Sequence, residues 1–311
     1  MRKASLILAS LIFASPHLGA APKHDTYIFV GMSQPSIDLL VSDEGTEGKP
    51  DAGHSISYEP ELPNIAILGF SYAGYTLSMS QDLGSSDSNA LDYTDYSLAA
   101  YFPWIGVDAT YSEFIRFRIN ENSGFDQSLK VDEYDKRDLA MTLYTANLYV
   151  FPLRYNFDFG AAFDPSKDKT NGIGLGLVGS WNRTGLDSRF GLIPEPWKLA
   201  FGSDGAFVRG ELTGTSVQAA LSGTIKLSMV YLSALFGFGP GEHQFTYETD
   251  TSKRSGRGSQ TIIRQKLMAG LTGDRLFLAA TLSNESPDYA LKYMTLESSR
   301  LEVGAVAGVK F

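Results

Sequence analysis

Histidine is scarce in this 311-residue chain. His17, His24, His54 and His243 are the whole set, and there is no cysteine. Disulfides, thiolate nucleophiles and cysteine-ligated metals are therefore excluded. A hydrolase or acyltransferase needs a base seated within hydrogen-bonding reach of its nucleophile. His17 falls in an apolar leader, and His24 and His54 in a polar lead-in. That leaves His243 as the one base near the body of the chain, in a predicted loop, with no serine set beside it by motif. The sequence predicts no catalytic residue and no cofactor. Asp164-Pro-Ser166-Lys-Asp168-Lys-Thr170-Asn-Gly172 alternates oxygen donors as a calcium loop does. An EF-hand would need Gly at its sixth position and Glu at its twelfth. Lys169 and Leu175 stand there, so a polar turn is expected and no metal site. Arg254-Ser-Gly-Arg-Gly-Ser259 is basic and glycine-rich, but it does not follow a strand and open a helix, so it is no phosphate cradle.

The elements that would have to position such groups are strands. Leu301 to Phe311 alternates without a slip: Leu301, Val303, Ala305, Ala307, Val309 and Phe311 share one face, and Glu302, Gly304, Val306, Gly308 and Lys310 the other. Similar segments recur from Asn64 onward. They are 65–72, 75–80, 96–102, 105–112, 139–150, 155–163, 173–181, 217–227, 230–238, 261–271 and 276–283. With the terminal segment they make about twelve strands, in a defensible range of ten to fourteen. Each has roughly the length that a tilted transmembrane strand needs. Their polar faces carry Ser, Thr, Gly and Asn with few charges, and their other faces are apolar with aromatics near the ends. A soluble sandwich would put abundant charge outside. The expected fold is all-β, an up-and-down antiparallel transmembrane barrel. Its predicted lumen face carries Asp108, Asp158, Lys226, Arg264, Lys266, Arg275, Glu302 and Lys310. Charges of both signs in a confined lumen imply a cross-lumen ion-pair network or a weakly selective aqueous pore, where a ring of one sign would imply ion selectivity.

The ends agree. Arg2 and Lys3 precede an apolar stretch from Ala4 to Ala14, and Leu18-Gly19-Ala20 or Gly19-Ala20-Ala21 supplies small residues for cleavage, as in a secretory signal peptide. The expected organisation is a signal peptide over 1–20, a periplasmic segment with short strands over 21–62, and a barrel over 63–311. No later apolar run is long enough for a helical span. The chain carries 26 basic and 35 acidic residues, so a basic nucleic-acid footprint is missing. Loops should alternate between short inner turns and long outer ones. The C-terminal half obeys, with tight turns at Leu227 and Gly273 and long loops at 184–212, 240–258 and 284–299. The N-terminal half does not: tight turns at Gly74 and Pro103 would face outward and the long 119–137 inward.

Two resemblances add to this reading. The terminal strand ending on Phe311, with Val309 and Ala307 on its face, resembles the C-terminal signal that the barrel-assembly machinery reads in outer-membrane barrels. That implies this machinery and outer-membrane lipid as partners. Tyr58-Glu-Pro60, Asn64 and Gly69-Phe-Ser-Tyr72-Ala-Gly74-Tyr-Thr-Leu77 resemble the opening hairpin of bacterial domain-of-unknown-function family 4421, with two extra residues and Pro63 before Asn64. Leu192-Ile-Pro194 is similar to a further feature of that family. The resemblance implies an outer-membrane barrel and no known activity. The expected function is a non-catalytic barrel of the bacterial outer membrane, structural or a small-solute pore. The alternatives are a membrane-embedded lipid hydrolase or acyltransferase, and a surface adhesin or receptor.

Overall fold

The computed structural model describes residues 26–43, 53–60, 65–83, 93–123, 136–249, 251–285, 288–290 and 294–311. The predicted signal peptide lies outside them. Fourteen strand segments form one antiparallel sheet: β1 Thr26–Asp43, β2 Ser55–Pro60, β3 Ile65–Tyr72, β4 Tyr75–Asp82, β5 Tyr93–Tyr101, β6 Ile105–Ser123, β7 Lys136–Tyr155, β8 Gly172–Ser188, β9 Phe207–Leu227, β10 Val230–Thr249, β11 Lys253–Thr272, β12 Leu276–Glu285, β13 Asp288–Ala290 and β14 Met294–Lys310. β2 and β3 share one passage of the chain, and so do β12 and β13. β1 pairs with β14 from Tyr27↔Lys310 to Asp43↔Met294, which closes a twelve-strand barrel.

The total of twelve matches the expectation, but its membership differs. Thr26–Asp43 is a full barrel strand and not part of a periplasmic lead-in, so the predicted boundary near residue 62 is corrected. Pro35 hid it. A proline cannot donate to a ladder, which splits the sequence signal into two short runs. Conversely, 155–163 is not a strand. Its aromatics alternate, but Asn156 takes a positive φ of 50°, and Asp158 caps a short helix, α1 (Phe159–Phe163), by accepting from Ala161 N at 2.8 Å. Exchanging these two members resolves the loop conflict. The turns at Ala73–Gly74 and Pro103 now lie at the end that carries Thr26 and Phe311, with those at Ser228 and Gly273. Ala73 and Gly74 both have positive φ, as a two-residue hairpin turn demands. Residues 240–258 are likewise no loop. β10 and β11 run on in register to Glu248↔Lys253, so His243 and the Arg254–Ser259 run are strand residues.

Outward residues define an apolar belt. Along β1, Ile28, Val30 and Met32 are exposed before Gln34 and Ser36 take over. Along β9, Leu227, Ile225, Leu221 and Val217 are exposed before Thr215, Glu211 and Arg209. That stretch of β9 matches the roughly 9–11 residues that cross a bilayer. Aromatics rim the belt. Tyr72, Tyr75, Phe102, Trp104 and Tyr155 are exposed at the terminal end. At the far rim Tyr96, Tyr111 and Tyr144 stand side by side, with ring centroids 6.4 and 4.9 Å apart.

The barrel narrows beyond the belt. β4 and β5 stop at Asp82 and Tyr93, and β2 pairs directly with β6 from Pro60↔Phe117 to Ser55↔Ser123. The β6 register slips between Ile115 and Phe117, where Arg116 has φ 65°. A bulge of this kind adds twist and lets β6 change partners.

Candidate functional site: a charged chamber in the lumen

Two apolar cores fill the ends of the lumen. The outer one gathers Ile37, Leu39, Phe114, Phe117 and Phe245 from the narrowed wall with Leu192, Ile193, Trp197 and Phe201 from the segment between β8 and β9. That segment, with its 3-10 helix Glu195–Asp204, folds inward as a cap. The Tyr58 hydroxyl donates to Leu192 O at 2.7 Å, and Leu192 N donates to Phe207 O at 2.7 Å. Asp138 accepts from the Ser188 hydroxyl at 2.8 Å and from Phe190 N at 2.9 Å, which pins the start of the segment.

The inner core is the segment 156–171, folded up as a plug. Phe159 is fully buried, with ring centroids 5.0 Å from Tyr149 and Phe151, 5.3 Å from Phe163 and 5.4 Å from Tyr101. Its ring lies over Gly106, where a Cβ would come within 2.4 Å of it. Phe159 N and Gly160 N donate to Pro103 O and Phe102 O, both at 3.0 Å. Lys169 is buried here, its ammonium bonded to Asp164 O and 4.6 Å from the Tyr231 ring centre. Burial pulls its pKa down to about 7, against the opposing pull of Asp164.

Between cap and plug lies a cavity of about 340 Å³ lined by both charged and apolar side chains. Two ionic contacts cross it. Lys266 Nζ on β11 faces Asp108 Oδ2 on β6 at 4.0 Å, and Arg300 on β14 faces Asp95 on β5 at 3.9 Å and Glu302 at 3.3 Å. Asp108 accepts from Tyr101 at 2.7 Å, Tyr149 at 3.0 Å and Asn147 at 2.6 Å. Lys266 donates to the Tyr101 hydroxyl at 3.0 Å, and Arg264 reaches Tyr149 at 3.4 Å. Asp95 accepts from Ser112 at 2.7 Å.

The eight charges that the sequence singled out divide by place. Asp108, Arg264, Lys266 and Glu302 meet in this chamber. Lys310 lies below it, donating to Thr272 Oγ1 at 2.9 Å and Gly273 O at 2.8 Å. Lys226 sits 3.8 Å from Asp168 at the foot of the plug, and Asp158 caps α1. Arg275 is a correction: it lies exposed in the β11–β12 turn, outside the lumen, because Gly273 and Asp274 break the alternation. Asp95 and Arg300 were missed. Asp95 is in phase with Ser97 and Tyr101, and Arg300 with Glu302, so starting each predicted strand one residue earlier would have found them. His243 points into the outer lumen, 6% exposed, with its ring beside Phe245 and over Gly258. Phe311, Val309 and Ala307 face outward, and Phe311 N donates to Thr26 O at 2.9 Å. Among the described residues no group of three His, Asp or Glu is placed to hold a metal ion.

No family model and no curated protein sequence matches this chain. Solved structures with a similar arrangement include the outer membrane protease OmpT of Escherichia coli, at 7% identity and TM-score 0.41, over 95% of this chain and 99% of that one. The attachment invasion locus protein Ail of Yersinia pestis matches at 10% and 0.28, over 93% and 99%. The toluene transporter TodX of P. putida matches at 8% and 0.31, over 94% and 91%. At such scores the architecture stands on the strand pairing alone.

Proposed function

We propose that this chain is a non-catalytic barrel of the bacterial outer membrane that admits small polar solutes to its lumen and rests closed at both ends. The observation that carries the reading is the charged chamber between two apolar closures. A barrel that serves only as a structural wall gains nothing from it. Placing seven charged groups in a confined lumen costs desolvation energy before pairing returns any of it, and apolar filling is often as stable or more so. A conduit needs a wetted, charged interior and a way to shut it. The apolar belt and its aromatic rims support the membrane placement, and outward-facing Phe311, Val309 and Ala307 leave the terminal strand open to the assembly machinery.

The test is conductance in planar bilayers. Wild type, a plug variant (Phe159→Ala), a cap variant (Trp197→Ala with Phe201→Ala) and their combination are compared, each checked for heat-shifted migration in SDS as proof of folding. The wild type should conduct rarely and the combined variant steadily. A folded combined variant that stays silent overturns the reading in favour of a structural barrel.

A further inference from the structure

We infer that the chamber selects zwitterions, small solutes carrying an ammonium and a carboxylate, by exchanging its own cross-lumen ionic contacts for contacts with the solute. This rests on the small-solute reading above and narrows it to a chemical class.

The charges are sorted by wall. Asp95 and Asp108 come from adjacent strands, β5 and β6. Arg264, Lys266 and Arg300 come from β11 and β14, which only β12 separates. Going round the barrel, β6 reaches β11 through β7 to β10, and β14 reaches β5 through β1, β3 and β4, so the two sets face each other across the lumen. An acidic wall opposite a basic wall makes a transverse field inside a low-dielectric tube. Glu302 beside Arg300 and Asp164 of the plug bring the lining to four acidic and three basic groups. A chamber that carries both signs and is polarised across its width favours a solute with the same property. A singly charged solute would leave one wall's charges displaced from their partners and unpaired, which is costly in a confined site.

The contacts are also loose. At 4.0 and 3.9 Å they are about 1 Å longer than a charge-assisted hydrogen bond. The two walls reach towards each other without closing. Asn147, next to Asp108, and Asn182, on the following strand, add polar side chains to the lining on the acidic side. Tyr27, Phe29 and Phe163 give the chamber an apolar part where the solute's carbon skeleton can lie. The volume is at the lower end of the roughly 300–1,000 Å³ typical of small-molecule sites. That fits a single amino acid or a short peptide.

The experiment is calorimetric titration of the folded full-length barrel in detergent at neutral pH and low salt. The probes are glycylglycine, its ethyl ester (a cation) and N-acetylglycylglycine (an anion). Glycylglycine should bind at least about tenfold more tightly than either single-charge relative. Asp108→Asn should turn the preference towards the anion, and Lys266→Gln towards the cation, with folding verified by heat-shifted migration. A merely structural role for the two residues would weaken all three probes together and reverse no preference. Equal binding of the three probes, no binding of glycylglycine up to millimolar concentration, or variants that keep the wild-type preference each overturn the inference. If the combined plug-and-cap variant conducts but shows no zwitterion preference, the conduit reading survives and this inference falls. If glycylglycine binds selectively but no variant conducts, the conduit reading falls and the site remains.

Discussion

Replacing Phe159 by Ala should loosen the plug without loosening the barrel. The ring is fully buried among Tyr101, Tyr149, Phe151 and Phe163, and these neighbours belong to the barrel wall or to α1 itself. Phe→Ala in a packed core costs about 3–5 kcal/mol, the lost transfer energy plus the hole left behind. The wall is fixed by its ladders and cannot collapse into that hole, so the upper part of the range applies. At about 1.4 kcal/mol per factor of ten, opening of segment 156–171 should become roughly three to three and a half orders of magnitude more frequent. Amide hydrogen exchange reads this directly. Ala162 N, which donates to Asp158 O, and Phe159 N and Gly160 N, which donate to the β5–β6 turn, are the reporters. Amides of β9 and β10 should keep their wild-type rates. Gly106→Leu is the complementary perturbation, since its side chain would occupy the space of the Phe159 ring. Overpacking of about 1–3 kcal/mol should speed the same amides by a factor of several to about a hundred. The packing argument is refuted if Phe159→Ala changes the plug amides by less than about tenfold, or speeds every strand equally.

The remaining expectations concern the wall, the end of the chain and protonation. Ala305→Arg puts a charge on the outward face of β14 and should cost about 2–4 kcal/mol near the middle of the belt, whereas Glu302→Gln on the inward face should be milder; equal denaturant midpoints for the two would reverse the inside and outside assignments. Deleting Phe311 removes the bond to Thr26 O at the barrel seam and should lower the folded yield in outer membranes, read as the heat-shifted fraction. His243→Ala should leave phospholipid and lipopolysaccharide deacylation at the wild-type background; robust wild-type turnover that the substitution abolishes would establish an enzyme. Lys169 holds its proton less tightly when packed, at about 7 against an ordinary 10.5, first because of burial and against the pull of Asp164. Between those values the released lysine binds more protons than the packed one, so the plug gains stability as pH rises through that window and is weakest below about 7. Exchange of 156–171, corrected for intrinsic rate, should slow from pH 7 to 10, and Lys169→Met should flatten the trend.

How much of this was legible depended on whether a residue obeys period two. Outward and inward residues of β14 follow the alternation of Leu301 to Phe311 throughout, because each ladder partner on β1 and β12 holds the same phase. Asp108, Lys266 and Glu302 could be placed in the lumen for that reason. Which charge meets which could not, since Asp108 and Lys266 are brought together by the circumference of the barrel and not by any spacing along the chain. The segment 155–163 misled because Phe157 and Phe159 alternate as a lipid-facing strand would, yet their apolar surface is satisfied by the lumen. Loop length misled in the same way at 240–258. Its polar outward residues mark where β10 and β11 leave the belt, not where the strands end.

The change from twelve strands to ten explains why one part of the lumen is packed and another is not. Each strand contributes about 4.8 Å of circumference, so losing β4 and β5 removes about 10 Å at the level where β2 joins β6. The narrowed section can be filled by the side chains of its own wall and the four apolar residues of the cap, and it is. Below the junction the full twelve strands enclose more space than inward side chains can reach across. Asp95 lies two residues from the end of β5, and Arg300 pairs with Ile37 of β1 and Glu285 of β12, which puts their contact just under the narrowing. The chamber is therefore set by the length of one hairpin. Lengthening β4 and β5 to match their neighbours would widen the outer section and unseat the cap. Shortening them would bring the apolar core down onto Asp95. The β4–β5 ladder, which reaches no further than Asp82 and Tyr93 among the described residues, is the structural reason that charged groups face each other across open space there.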